Sequence, residues 1–468
     1  MKNSQKIASA ALAAVLIATG SACGGSSRSS SVGEDSTTTS ETTTTTVNTL
    51  DDDIENPVDI SEFVDTDAEQ LENPNLRYIG YYDIRTAADV KPAVKLFEET
   101  YGGKIDYEQC TWAERIDKLQ VLIASGDSPD ICLKEGESFP LLTSKNVYED
   151  LTEYIDLSLP QWAGFEDLIN QYEWKGKHVY YPWHASAFTE YIFYSKARFE
   201  ELGITTPREL YDSNEWDWNT FRDTMKKFID ASGTANEVYG IYGLTLSDAL
   251  ICSTGTPLIG MKNGSLSDNM NSIAVDRAAS FLEGLRRDGL TVAMDGYWGD
   301  QNTPIVEGKA CFLSNGQYHL DDFMKKTPEV EIEFVPFPRD PEADEYYYQS
   351  SDFGYLVPSG SQNVKGAAAF INMLRLCKID PDLRKEVDES NTRGKGWTME
   401  QIEFMKQFED LENYHVVADF YGGLDGDSSQ IMTDMLRNVT FDGEDTWTVL
   451  RDTNINVIDA SIDAINNG

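Results

Sequence analysis

Four histidines, six cysteines and 80 acidic side chains are the groups in this 468-residue chain that could do covalent or metal chemistry. Their spacing supports little of it. His178, His184, His319 and His415 fit neither the H-E-x-x-H nor the H-x-H pattern that aims two imidazoles at one metal. No G-x-S-x-G elbow, phosphate-cradling glycine loop or G-x-G-x-x-G turn occurs. Gly394-Lys395-Gly396 lacks a third glycine and a preceding strand, so it reads as a loop. Asp425-Gly426-Asp427-Ser428-Ser429 is a faint likeness of a calcium loop without its sharp-turn glycine. Among 80 acids a carboxylate pair suited to glycoside hydrolysis can be drawn almost anywhere, so no pair carries weight. No cofactor or metal site is expected.

Binding chemistry is better represented. The chain holds 23 tyrosines and 9 tryptophans. A pyranose presents apolar C–H faces and a rim of hydroxyls, and aromatic planes beside carboxylates, amides or amines match both. Not every aromatic belongs to such a site. Trp218 starts a helical stripe through Phe221 and Met225 and is expected in the core. Trp174, beside Lys175-Gly176, belongs to a turn, and Tyr346-Tyr347-Tyr348 reads as a strand facing core and solvent alternately.

Charge and the first residues set the surroundings. A formal charge of −42 excludes a nucleic-acid partner, which needs a basic surface, and a polybasic membrane anchor. Lys2 and Lys6, the apolar run Ile7–Thr19 and Gly20-Ser21-Ala22 describe a secretory signal over residues 1–22. That run is shorter than the ~20 residues of a membrane span. Cys23 after small residues resembles the lipobox of bacterial lipoproteins, with Gly20 where leucine is usual. The expectation is acylation of Cys23 and a lipid anchor on the extracellular face of a Gram-positive cell. Residues 23–75, rich in Ser, Thr and Asp, cannot bury enough apolar surface to fold and form a tether. Some 50 residues of such coil span roughly 40 Å. Cys110, Cys132, Cys252, Cys311 and Cys377 are scattered, in no C-x-x-C pair, and read as buried thiols with one disulfide at most.

The body reads as α/β. Leu76–Tyr82 is a strand; Val90, Val94, Phe97 and Tyr101 form a helix face that Gly102-Gly103 ends. Lys104–Glu108 is the next strand, Ile116, Leu119 and Ile123 mark the next helix, and Pro129–Leu133 is a third strand. This βαβαβ order implies a parallel sheet whose ligand loops follow Tyr82, Gln109 and Lys134. Later stripes (Phe221, Met225, Phe228; Phe281, Leu282, Leu285; Phe370, Ile371, Leu374) mark more helices.

Four segments carry a resemblance: RIDKLQVLIASGDSPDI (115–131), YEWKGKHVYYPWHASAFTEYIFYSKARFEELG (172–203), EGKACFLSNGQY (307–318) and GYLVPSGSQNVKGAAAFINML (354–374). In this order they resemble the extracellular solute-binding proteins of carbohydrate ABC importers, the family that includes maltose-binding protein. The resemblance implies a two-lobed flytrap with several inter-lobe crossovers: one lobe over 76–184 and 350–395, the other over 185–349 and 396–468. It implies a monomer that captures a carbohydrate, an oligosaccharide above all, in the cleft and passes it to membrane permease subunits. Carried over, the ligand positions are Tyr82 and Asp83, Trp112 and Glu114, Lys134 and Glu135, Trp183 and His184, Trp298, Asn315, Gln317 and Tyr318, and Asp352. Tyr318 stands where the family has tryptophan, and Ser195 replaces the asparagine of its Tyr-Asn-Lys. A surface glycoside hydrolase, or a same-fold binder of a peptide or other solute, is the alternative.

Overall fold

Apolar runs alternate with helical stripes from Leu76 onward, and the backbone follows them. The computed structural model describes residues 68–87, 89–186, 190–233, 238–243, 245–293, 302–385, 388 and 395–468. The signal segment, Cys23 and the tether up to residue 67 lie outside the described residues, as does Trp298. Strand Leu76–Gly80 (β1) pairs in parallel with Ile105–Gln109 (β2) on one side and Ile131–Leu133 (β3) on the other. Helices Lys91–Tyr101 and Arg115–Ser125 make the crossovers. Each stops at a glycine in the left-handed region, Gly102 (φ 70°) and Gly126 (φ 75°), where a side chain would be strained. Tyr355–Leu356 (β16) adds to β3 in antiparallel sense and gives the order β16-β3-β1-β2. The third strand starts later than its apolar pattern suggests. Asp130 Oδ2 accepts from the Arg77 amide at 2.9 Å, so a side chain stands in for the ladder there.

A second sheet has the order β11-β8-β12-β7-β13, from Thr291–Ala293 (β11), Tyr239–Gly243 (β8), Ala310–Gly316 (β12), Glu190–Ser195 (β7) and Ile332–Val335 (β13). β8 is parallel to β11 and β12, whereas β7 is antiparallel to β12 and β13. The register sets Glu190 opposite Gly316 and Gly243 opposite Ser314. The start of β7 therefore shares one edge of the sheet with the carboxyl ends of β8 and β12. A Cβ on Gly243 (φ 157°) would fall 2.3 Å from the Ser314 carbonyl oxygen, so glycine is required for this close strand approach.

The chain passes between the sheets on hydrogen-bonded ribbons. His184–Ser186 (β6), which leads into β7, pairs antiparallel with Ser351–Phe353 (β15), which leads into β16. Tyr347–Gln349 (β14) runs parallel to His415–Val417 (β17). Helix Val364–Ile379 packs on the first sheet's helix through Phe370 and Phe97, 5.7 Å apart, while Phe404 of helix Met399–Lys406 meets Phe334 of β13 at 5.6 Å. Two hairpins complete the strands: Glu173–Trp174 (β4) with Lys177–His178 (β5), and Ile259–Lys262 (β9) with Ser265–Asp268 (β10). Trp174 is thus a buried strand residue, and the turn is the Lys175-Gly176 pair that follows, both with positive φ.

Trp218 is buried and stacked on Phe281 at 5.0 Å, and Tyr348 is buried in the second core with Phe193 and Phe334. Cys110, Cys132, Cys252, Cys311 and Cys377 are all buried and unpaired. Trp216 is the clearest keystone of the second sheet. Fully buried, it packs on Phe221 and Phe312 (5.7 and 5.9 Å), and its Nε1 donates to the Pro336 carbonyl at 2.7 Å. Trp216→Ala should lower stability by about 3–5 kcal/mol in urea melts, with Trp216→Phe recovering most of that loss.

Candidate ligand-binding site

The first sheet brings three loops together at the carboxyl ends of its parallel strands, where open α/β sheets bind ligands. After β1 come Tyr81, Tyr82 and Asp83; after β2, Trp112 and Glu114; after β3, Lys134 and Glu135. Tyr81 Oη donates to Glu135 Oε1 at 3.0 Å, and burial pushes the Glu135 carboxyl above its ordinary range. Arg115 holds Glu137 through two contacts of 2.8 Å and lies 4.1 Å from the centroid of the exposed Trp112 ring. Asp83 chelates Arg85, and Glu114 caps Thr111 at 2.7 Å. Tyr82 and Trp112 are the large aromatics exposed on this edge, at 37% and 58%.

Lys134 turns inward. Its Nζ donates to Asp352 Oδ1 at 3.2 Å and to Tyr172 Oη at 3.1 Å. Asp352 also accepts from Tyr180 (2.6 Å), Tyr172 (2.8 Å) and Ser350 (3.0 Å). Burial alone would raise the Asp352 pKa, but Lys134 and the two tyrosine hydroxyls outweigh it and hold the carboxyl below its usual range. The loop after β3 is thereby tied to the β15 crossing strand.

The second sheet contributes another cluster. Asn315 lies near the end of β12, and Gln317 and Tyr318 follow the strand; Asn315 is buried, its Oδ1 accepting the Gly316 amide at 2.8 Å, and Tyr318 opens helix Tyr318–Lys326. Opposite them on the same edge stands Glu190. Beyond β8, Thr245 precedes helix Leu246–Cys252, whose Asp248 accepts from Tyr421 Oη at 2.8 Å. Burial raises Glu190 to about 7, Asp248 to about 6 and Asp419 to about 7. The segment carrying Tyr421 also touches the first sheet's loops. Phe420 packs on Phe139 and Tyr172 (5.1 and 5.2 Å), and a Cβ on Gly136 would meet the Gly422 carbonyl oxygen at 3.3 Å. Glu135 and Glu190 thus belong to two acidic corners joined through residues 420–422.

Trp183 and His184 are packed within the β6–β15 ribbon. Trp183 is 3% exposed, and His184 is sandwiched between Trp183 (5.8 Å) and Phe353 (6.0 Å) in the β6–β15 ribbon. Burial, and then nearby Lys378, keep the His184 imidazole neutral well below its ordinary pKa. The aromatic face expected of Trp183 is spent on packing. Asp425 caps helix Gly426–Arg437 and accepts from Ser428, so its acids serve a helix start. Among the described residues no group of three or more His, Cys, Asp or Glu is disposed to hold a metal ion. Sequence reasoning missed Glu190, Asp248, Tyr421, Tyr172 and Tyr180. An acid opening the apolar run EYIFYS, and another inside LSDALIC, were the available signals. A cavity of about 420 Å³ opens away from the predicted residues, between Asp167 and Gln171 on one side and Gly260, Lys262 and Asn269 on the other, with Tyr347 and His415 behind.

The family model for bacterial extracellular solute-binding proteins matches residues 83–375. The chain belongs to that family. Its solved structural neighbours are two-lobed proteins that share the fold at low identity. The cyclic α-maltosyl-1,6-maltose binding protein from Arthrobacter globiformis is 16% identical, with a TM-score of 0.63 over 84% of this chain and 99% of that one. An ABC substrate-binding protein from Listeria monocytogenes, in complex with cycloalternan, is 18% identical, with a TM-score of 0.57 over 86% and 99%. UgpB from Mycobacterium tuberculosis, in complex with glycerophosphocholine, is 14% identical, with a TM-score of 0.59 over 83% and 99%. No curated protein matches in sequence at a significant level. As an extracellular solute-binding protein, the chain has the two-lobed α/β fold of its structural neighbours.

Two stability outcomes test the site's electrostatics. Lys134→Met leaves the buried Asp352 without its cation and should cost about 3 kcal/mol near pH 7. The loss should shrink as the pH falls, because the Asp352 carboxyl of the variant, raised by burial and without its cation, takes up a proton more readily than the lysine-paired one; urea melts at pH 7 and 3.5 read both. Glu190 has the opposite sign. Its folded pKa, about 7, lies above that of the unfolded chain, so the folded state binds the proton more tightly and stability falls as pH rises between the two. Glu190→Gln should therefore raise the melting temperature, with a gain that grows from pH 4.5 to 7 and then levels off.

Proposed function

We propose that this solute-binding protein captures a carbohydrate, most suitably an oligosaccharide, between its lobes and delivers it to the permease of an ABC importer. The observation that carries the reading is the setting of exposed Tyr82 and Trp112 beside Asp83, Glu114 and Glu135, with the corner of Glu190, Asp248 and Tyr421 joined to these loops through residues 420–422. Aromatic faces cover sugar C–H surfaces, and carboxylates accept from hydroxyls. A structural neighbour in complex with cycloalternan, and another that is a cyclic α-maltosyl-1,6-maltose binding protein, support this class of ligand. Contacts from both lobes favour the closed form when ligand is present. The lobes run over 76–184 with 350–395 and over 185–349 with 396–468. Asn315, Gln317 and Tyr318 are the ligand positions proposed for the second lobe, and acylated Cys23 with the following tether holds the protein on the outer membrane face as a monomer. It acts by binding, without catalysis.

Calorimetry of the purified full chain against a glycan panel should give saturable binding, with the sugar recovered intact after long incubation. Release of shorter sugars would instead identify a hydrolase. Trp112→Ala and Tyr82→Ala should each weaken binding of the best glycan about tenfold or more, with little change in the melting temperature of the unliganded protein.

A further inference from the structure

Several buried or half-buried acids in this protein are matched by a cation. Asp352 has Lys134, Glu137 has Arg115 at 2.8 Å, and Glu409 has Arg384 at 2.7 and 2.8 Å. The second-sheet corner of the ligand site is different. Glu190 Oε2 and Thr245 Oγ1 on the adjoining loop are both closed off from solvent, and the Thr245 hydroxyl is the neutral group beside the carboxylate, with no cation at either. Asp248 is close enough to Glu190 to repel its charge, and its Oδ1 is engaged by Tyr421 at 2.8 Å. Asp419, next in line, is taken up by the amides of Leu258, Ile259 and Tyr421 at 2.6, 3.1 and 3.2 Å. The strand, the helix and segment 419–421 thus present carboxylates, and the loop after β8 a hydroxyl. Among the described residues no lysine, arginine or histidine pairs with any of the three.

An isolated buried charge is costly unless a partner arrives, and two neighbouring carboxylates repel each other until one is neutralised. Sugar hydroxyls could donate to Glu190 but would leave that repulsion in place. A protonated amine donates hydrogen bonds and cancels a charge in the same contact. Resting on the carbohydrate reading above, we propose that the corner formed by Glu190, Thr245 and Asp248 receives the ammonium group of an amino sugar, making this a binding protein for amine-bearing glycans. The general negative charge of the chain, −42, also draws cationic solutes toward the site. Because burial holds Glu190 partly protonated near neutral pH, docking of the ammonium expels a proton.

The test is calorimetry on the full chain with matched tetramers of glucosamine and galactosamine, their N-acetylated counterparts, and maltotetraose. An amine-bearing tetramer is expected to bind at least tenfold tighter than its acetylated twin. Titrations in buffers of different ionisation enthalpy should show proton release. Glu190→Gln, nearly isosteric and expected to fold, should bring the two twins within threefold of each other, and Asp248→Asn should shrink the preference in the same direction. Neutral glycans binding as well as or better than amine-bearing ones would overturn the proposal while leaving the carbohydrate reading intact. A preference for amines that survives Glu190→Gln and Asp248→Asn would also overturn it. Failure of every glycan to bind would bring down the carbohydrate reading and the proposal together.

Discussion

A carboxylate with almost no access to water holds the crossing ribbon to the ligand loops. Asp352 sits on β15, between the sheets, and its side chain is 4% exposed. In such surroundings it stays ionised because Lys134, Tyr172, Tyr180 and Ser350 converge on its two oxygens. Lys134 belongs to the loop after β3, and Tyr172 and Tyr180 flank the β4–β5 hairpin. One compensated charge therefore fixes the crossing strand to the loop that carries Glu135. Without that compensation the strand would need a different residue or a different path.

The same rule, that a buried charge must be answered, separates the two ends of the site. On the first sheet, side chains of the protein answer it: Arg115 for Glu137, Arg85 for Asp83, Tyr81 for Glu135. These contacts preset the loops, which lowers the ordering cost when a ligand arrives. On the second sheet Glu190 has the Thr245 hydroxyl beside it and, among the described residues, no cation. The asymmetry is one of charge: ion pairs preset the first-sheet loops, while the second-sheet corner keeps its carboxylates without a counter-charge.

Much of the body was legible in the residues. The βαβαβ run from Leu76 to Leu133 appears in the structure as parallel strands with helical crossovers, because periodicity of apolar residues and glycine stops are local signals. The loops bearing Tyr82, Trp112 and Glu135 followed from those strands. The surroundings of Trp183 did not: Phe353 and Lys378, some 170 and 195 residues later in the chain, close over it and its neighbour His184. Glu190 was invisible for the opposite reason. An acid at the head of an apolar strand reads as a solvated strand end until β8 and helix Leu246–Cys252 are packed beside it.

Composition and motif order by themselves determined that this is an acidic α/β binding protein of the solute-binding family, since helix stops, apolar stripes and short family segments are encoded within a few residues of one another. Which charges are paired and which await a partner was decided by tertiary structure alone. Lys134 meets Asp352 across 218 positions of chain, and Asp248 meets Tyr421 across 173. Burial and counter-charge are properties of the packed interior, where distance in space, and not in sequence, sets the energy of a carboxylate.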